Sequence, residues 1–158
     1  MKIATWNVNS IAIRLEHIAK WTSSNEIDVL CLQETKCVDE KFPLEAIKEM
    51  GFQAAFMGEK SYNGVAILSR HPISDIQKNF LDDGDDAPKR LIAATIEGIR
   101  IVNTYIPNGT ELDSPKFDFK LDWLQRLRRM FDKSCSTDDK RSEEHTSELQ
   151  SRFGISYA

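Results

Sequence analysis

Apolar residues fall in short, strand-length runs up to Ile106 and change to a helical period after Pro115. The strongest run is Ile27-Asp28-Val29-Leu30-Cys31-Leu32, which breaks abruptly into Gln33-Glu34-Thr35-Lys36. A stretch of about six residues rich in Ile, Val and Leu predicts a strand buried on both faces. Before it, residues 2–8 predict a strand carrying Ile3, Trp6 and Val8, which runs into the loop Asn7-Val8-Asn9-Ser10. Ser10 is placed to cap a helix whose buried stripe is Ile11, Leu15, Ile18, Ala19 and Trp21. Pro43 lies near the first turn of a short helix that Gly51 closes. Strands are expected at 52–57 and 64–69, the second entered through the turn Tyr62-Asn63-Gly64. Residues 74–80 alternate weakly, as an edge strand does. Residues 90–96 and 100–106 form two more strands, joined tightly through Glu97-Gly98-Ile99. From Pro115 onward, Phe117, Leu121, Leu124, Leu127 and Phe131 step at three or four residues, the mark of an amphipathic helix. Its outer face carries Lys116, Lys120, Arg126, Arg128 and Arg129. Strands interspersed with helices, without an internal repeat, place the chain in the α/β or α+β class.

At 158 residues the chain is long enough for one domain with a substantial core. Its 41% hydrophobic and 29% charged residues are ordinary for a soluble globular protein. A formal net charge of −4 argues against a nonspecific coat for nucleic acid, which is normally basic. It leaves room for a phosphate substrate, because a metal and a few placed cations reverse the potential locally. The three cysteines, Cys31, Cys37 and Cys135, are odd in number and lack Cys-x-x-Cys spacing. That favours reduced thiols in a cytosolic protein over a disulfide frame or a zinc site. Cys31 reads as a small core residue. The strand pattern starts directly after Met1, with no signal peptide and no long apolar span, so a cytoplasmic protein away from membranes is expected. Residues 81–88 are acidic but lack the Asp spacing and closing Glu of a calcium loop, and read as a solvated loop.

Three strands end in polar residues suited to one site: Asn7, Glu34 and Tyr105. Layered α/β proteins place chemistry at strand ends. Burying a carboxylate there costs several kcal/mol unless a positive partner meets it. For Glu34 the choice lies between a helix cap or an ion pair with Lys36 and a ligand for a divalent metal. Asn7 reads as a turn residue or a site residue, and Tyr105 as a half-buried strand end or a site residue. Trp6-Asn7-Val8-Asn9, Leu32-Gln33-Glu34-Thr35-Lys36, Tyr62-Asn63-Gly64-Val65-Ala66, Arg90 before a strand, and Tyr105-Ile106-Pro107-Asn108-Gly109 follow in that order. In this the chain, from Met1 to about Phe131, resembles the exodeoxyribonuclease III family of apurinic/apyrimidinic endonucleases. That family lies within the endonuclease/exonuclease/phosphatase superfamily.

The resemblance implies a four-layered α/β sandwich of the DNase I-like type and a metal-dependent DNA-repair phosphodiesterase. The implied activities are those of a 3′→5′ exonuclease and an abasic-site endonuclease. The implied substrate is double-stranded DNA at abasic sites and 3′ ends, and the enzyme is implied to be monomeric. Glu34 is implied to bind Mg²⁺ or Mn²⁺, with Asn7 in the metal shell or touching the phosphate. Tyr105 is implied to hydrogen-bond the scissile phosphate or help activate water. Arg90 and Asn108 are implied to lie near the DNA, and Lys116 and Lys120 to contact its backbone. A surface ion pair with the loop at 82–86 is the rival for Arg90, and a solvated helix face the rival for the two lysines. Two alternatives remain: a superfamily hydrolase of another phosphate ester, and a noncatalytic nucleic-acid-binding domain.

Two further motifs that the resemblance leads one to expect, Gly-Asp-x-Asn after the helix and Ser-Asp-His near the C-terminus, are absent. The first carries the base that activates water. Residues 1–140 are therefore expected to be a truncated domain, inactive alone, whose sheet lacks the partner that covers its inner face. Residues 141–158 show no hydrophobic period, and from Arg141 to Ser151 match a translated sequencing-library adapter. An artefactual, disordered tail is expected there, which removes His145 from consideration.

Overall fold

The structure, a computed structural model, describes residues 1–135. The expectations for the tail at 141–158, including His145, lie outside the described residues. The described residues divide into two units, one Met1–Tyr105 and the other beginning at Ile106.

The first unit contains two sheets. Strands β1 (Ile3–Asn7), β2 (Val29–Gln33), β3 (Gln53–Met57) and β4 (Val65–Ser69) form one, in the order β1-β2-β4-β3. Strand β1 runs parallel to β2, and the other pairings are antiparallel. Every residue of β2 and β4 is buried, as their unbroken apolar runs require of central strands covered on both faces. Strands β5 (Ile73–Lys78), β6 (Leu91–Ile96) and β7 (Ile99–Thr104) form an antiparallel meander. Its β6–β7 turn is the two-residue Glu97-Gly98, both at positive φ, as a tight hairpin matching strand twist demands. Strand ends differ from the sequence expectation by one or two residues, within ordinary fraying.

Helices α1 (Ile11–Ser24) and α2 (Leu44–Glu49) cover one face of the four-stranded sheet, where Ile11, Ile18 and Ile47 meet Leu30, Leu32 and Leu68. On its other face Val29, Cys31, Val65 and Ile67 pack against Ile92, Ala94, Ile96 and Ile101 of the meander. This corrects one expectation: the inner face of the first sheet has a partner, because β5–β7 fold back over it. The cover stops short of β1, where Ile3 is 50% exposed and Thr5 and Asn7 are exposed too. Cys31 is a core residue, and its desolvation pushes the thiol up to about 12.

Ser10 precedes α1 but makes no side-chain cap and sits at φ +94°. Backbone groups replace the cap: Ser10 N–H donates to Glu34 O (2.7 Å) and Ile11 N–H to Thr35 O (3.0 Å). The helix start is thereby tied to the loop after β2 and satisfies donors that a helix leaves open.

In the second unit, α3 (Pro115–Ser134) starts at Ser114, whose hydroxyl accepts from Phe117 N–H (3.2 Å). Its buried residue is Trp123, whereas Leu121, expected in the buried stripe, is 44% exposed. The expected stripe otherwise holds: Phe117, Leu124, Leu127 and Phe131 are all partly covered, and Trp123 joins that face where Leu121 leaves it.

Asp28, just before β2, accepts from Lys2 N–H (2.6 Å) and faces His71 Nε2 (3.5 Å), whose Nδ1 faces Glu97 (3.1 Å). The Lys2 hydrogen bond leads in holding the Asp28 carboxyl below its ordinary value, with His71 assisting against partial desolvation. A folded value below the unfolded one contributes stability above the ordinary carboxylate range, lost as pH falls through the folded value. Asp28→Asn should therefore lower the melting temperature at about pH 7, and the gap to the parent chain should close towards about pH 3. Thermal melts across that range check it; a gap constant with pH contradicts it.

Candidate functional site

Parallel pairing of β1 with β2 puts Asn7 opposite Gln33, so the next residue, Glu34, leaves the sheet beside the Asn7 side chain. Asn7 Nδ2 donates to Glu34 Oε1 at 2.7 Å, and Asn7 Oδ1 accepts from Asn9 N–H at 3.2 Å. The Lys36 ammonium lies 2.9 Å from Glu34 Oε2 and also donates to Asn9 Oδ1. Tyr105, following β7 on the other sheet, hydrogen-bonds the same carboxylate. Three of the expected features thus meet at one point: Asn7, Glu34 and Tyr105.

The Glu34 side chain is 12% exposed. Burial pulls its carboxyl upward, but hydrogen bonds from Asn7, Lys36 and Tyr105 together outweigh it and hold the carboxyl below its ordinary value. It is an ionised carboxylate near neutral pH. The ion pair with Lys36, the plainer reading of Glu34, is present as well, and it neutralises the carboxylate without exhausting its oxygens. The backbone here is unusual: Glu34 and Lys36 have φ of +53° and +50°, a left-handed region that costs a side-chain-bearing residue about 1–2 kcal/mol. Strain of this kind clusters at active sites and ligand clamps, and nine other non-glycine residues among those described also adopt positive φ.

The loop is held from behind. Thr35 N–H donates to Gly64 O (3.1 Å), Lys36 N–H to Asn63 O (3.0 Å), and Gly64 N–H to Lys89 O (2.9 Å). Gly64 sits at φ +88°, and a Cβ there would lie 2.1 Å from Thr35 Oγ1. The turn Tyr62-Asn63-Gly64 that the sequence announces is therefore the back wall of the Glu34 loop.

Arg90 supports Tyr105. Its guanidinium lies 4.7 Å from the Tyr105 ring centroid, and Nη1 donates to Tyr105 O at 3.1 Å. Tyr105 N–H returns to Arg90 O at 2.7 Å. The remaining expected residues belong to the second unit. There Asn108 Oδ1 accepts from Thr110 N–H (3.0 Å) in an exposed turn, Lys116 is exposed, and the Lys120 stem packs beside Gly109.

Two residues in the first unit escaped the sequence reading. Gln33 and Asn103 are buried polar side chains, 7% and 3% exposed, that meet across the two sheets. A lone amide inside an apolar strand was the available signal.

The donors around Glu34 are a carboxylate, an amide carbonyl and a phenol, all oxygen. That set fits a hard cation such as Mg²⁺, which takes one or two protein carboxylates and keeps several waters. Among the described residues no group of three or more His, Cys, Asp and Glu side chains forms a closed cage for a metal. Glu34 is the carboxylate here that could hold such an ion.

A family model described as "Endonuclease/Exonuclease/phosphatase family" matches residues 4–140. The exodeoxyribonuclease III of Haemophilus influenzae is 32% identical over 143 residues, covering 85% of this chain and 54% of that protein. Among solved structures, an AP endonuclease from Archaeoglobus fulgidus superposes with a TM-score of 0.81 at 43% identity, covering 86% of this chain and 52% of that one. A 3′ phosphatase from Neisseria, bound to a product DNA hairpin, gives the same TM-score and identity over 85% and 52%. The chain spans about half the length of these relatives.

Proposed function

The chain belongs to the endonuclease/exonuclease/phosphatase family, and from that premise we propose that it is the N-terminal, metal-holding side of a DNA-repair phosphodiesterase. The reaction is hydrolysis of DNA phosphodiester bonds, as abasic-site endonuclease and 3′→5′ exonuclease. The observation that carries this reading is the ionised, nearly buried Glu34 on which Asn7, Lys36 and Tyr105 converge from two sheets.

Glu34 and Asn7 Oδ1 would hold Mg²⁺ or Mn²⁺. A bound divalent ion neutralises charge on the phosphate oxygens and lowers the pKa of water. The chain's own residues do the rest of the positioning. Asn7 fixes the carboxylate through Nδ2, leaving Oε2 to Lys36 or a metal. The Tyr105 hydroxyl stands beside Glu34, where it can turn its single hydrogen from the carboxylate to a phosphate oxygen, and Arg90 holds its ring and main chain. In the second unit Asn108, Lys116 and Lys120 are proposed as contacts to duplex DNA, the lysines to its backbone phosphates. Residues 1–135 are assigned no general base, and the chain by itself is proposed to hydrolyse DNA slowly or not at all.

The test is a chimera in which residues 1–135 replace the matching part of the Archaeoglobus AP endonuclease. A folded chimera should cut abasic duplex DNA in a Mg²⁺-dependent way. A folded chimera that is inert on abasic and 3′-end DNA but hydrolyses another phosphate ester overturns the substrate assignment. One that binds DNA but hydrolyses nothing overturns the enzymatic reading.

A further inference from the structure

We propose that Asn103 is a positioning residue that clamps the Tyr105 end of β7 onto the Glu34 end of β2. The proposal rests on the reading of Glu34 and Tyr105 as one site, and concerns how that site is kept assembled across two sheets.

Asn103 lies in β7, in the meander, and its carboxamide is 3% exposed. Nδ2 donates to Leu32 O (2.8 Å) and Ala66 O (2.9 Å), carbonyls of residues paired across β2 and β4 in the other sheet. Oδ1 accepts from Gln33 Nε2 at 2.6 Å, and that nitrogen also donates to Thr5 Oγ1 (2.8 Å) on β1. The orientation of both amides is dictated by chemistry. Carbonyls only accept, so the Asn103 NH₂ must face Leu32 and Ala66, and its oxygen must then face the Gln33 NH₂. One side chain of the meander therefore binds the last two residues of β2 before the chain turns at Glu34, and through Gln33 it reaches β1.

The placement is specific to the site. Along a strand, residues two apart share a face, so the face that carries Asn103 carries Tyr105, which packs against the core between the sheets. Asn103 thus fixes Tyr105 relative to Glu34 from two residues behind each partner's side chain. Apolar contacts between sheets resist sliding weakly, because they are non-directional. A buried amide with two donors and one acceptor engaged has one register, and loss of that register leaves groups unsatisfied.

The proposal separates from plain stabilisation by reading the Tyr105–Glu34 contact itself. The full chain is labelled with 3-fluorotyrosine, and the Tyr105 ¹⁹F resonance is assigned by its loss in Tyr105→Phe. In the parent chain Glu34→Gln should move that resonance, since it alters a direct hydrogen-bond partner. In an Asn103→Leu background the Tyr105 resonance should already be displaced, and its response to Glu34→Gln should fall by about half or more, as coupled neighbours behave in a double-mutant cycle. Ile101→Val, in the same strand, serves as a packing control and should leave the response intact. An undisturbed resonance and a full Glu34→Gln response in folded Asn103→Leu overturn the proposal. If Asn103→Leu does not fold, Asn103→Thr, which keeps a hydroxyl in a β-branched residue suited to a strand, is read by the same two outcomes. The readout needs neither metal nor DNA. A failure of the nuclease assignment therefore shows in the chimera, and a failure of the clamp shows here.

Discussion

Glu34→Gln in the chimera should lower Mg²⁺-dependent cleavage of abasic DNA by roughly 10²–10³-fold, the scale for removing one preorganised electrostatic group. The substitution keeps the side chain's size and leaves Oε1 able to accept from Asn7 Nδ2, so the local fold has reason to persist. What disappears is the negative charge. Lys36 loses its counterion, and the oxygen site loses its carboxylate. An ion pair that is only a bystander contributes to stability and nothing to chemistry. The size of the rate loss therefore distinguishes a working carboxylate from a structural ion pair. Rates within about threefold of the parent, well below the effect of one lost electrostatic group, would remove Glu34 from the chemistry.

The second large effect is structural. Gly64→Ala should destabilise the chain by about 2–4 kcal/mol, combining left-handed backbone strain with overpacking. The added Cβ would lie 2.1 Å from Thr35 Oγ1 and 3.3 Å from Lys36 N. Thr35 is 1% exposed and β-branched, so its side chain has little room to turn away. The loop must move, and the loop carries Glu34. For a unit of this size the melting temperature should drop by roughly 10 °C or more. Thr35→Ala removes the colliding hydroxyl, so the double variant should recover part of the loss. A melting temperature unchanged by Gly64→Ala contradicts the packing of turn against loop. Additive losses in the double variant contradict the collision as the cause.

These effects follow from features legible in the sequence to different degrees. Strand β2 is plain, because four apolar residues in a row, Val29 to Leu32, describe a strand covered on both faces. The meeting of Asn7 with Glu34 follows from the parallel register of β1 and β2, and the motif resemblance anticipated it. Tyr105 joins them from the other sheet, a contact between residues 71 positions apart that no local pattern encodes. A similar separation hides the pairing of Gln33 with Asn103, since each alone is only a lone amide in its strand. The inner cover of the first sheet was missed because β5 alternates weakly and looked like a mere edge. It is an edge, but of a second sheet whose β6 is almost wholly buried. Ser10 was misjudged because backbone carbonyls from the Glu34 loop supplied the cap that its hydroxyl was expected to give.

We propose Glu34, with Asn7 and Tyr105, as the metal-holding side of a phosphodiesterase site. Titrating the isotope-labelled chain with Mn²⁺ and mapping paramagnetic broadening tests it most directly. Broadening is expected first at the amides of Asn7, Glu34 and Tyr105, and Glu34→Gln should abolish it. Broadening confined to the acidic loop at 82–86 and indifferent to Glu34→Gln would contradict it.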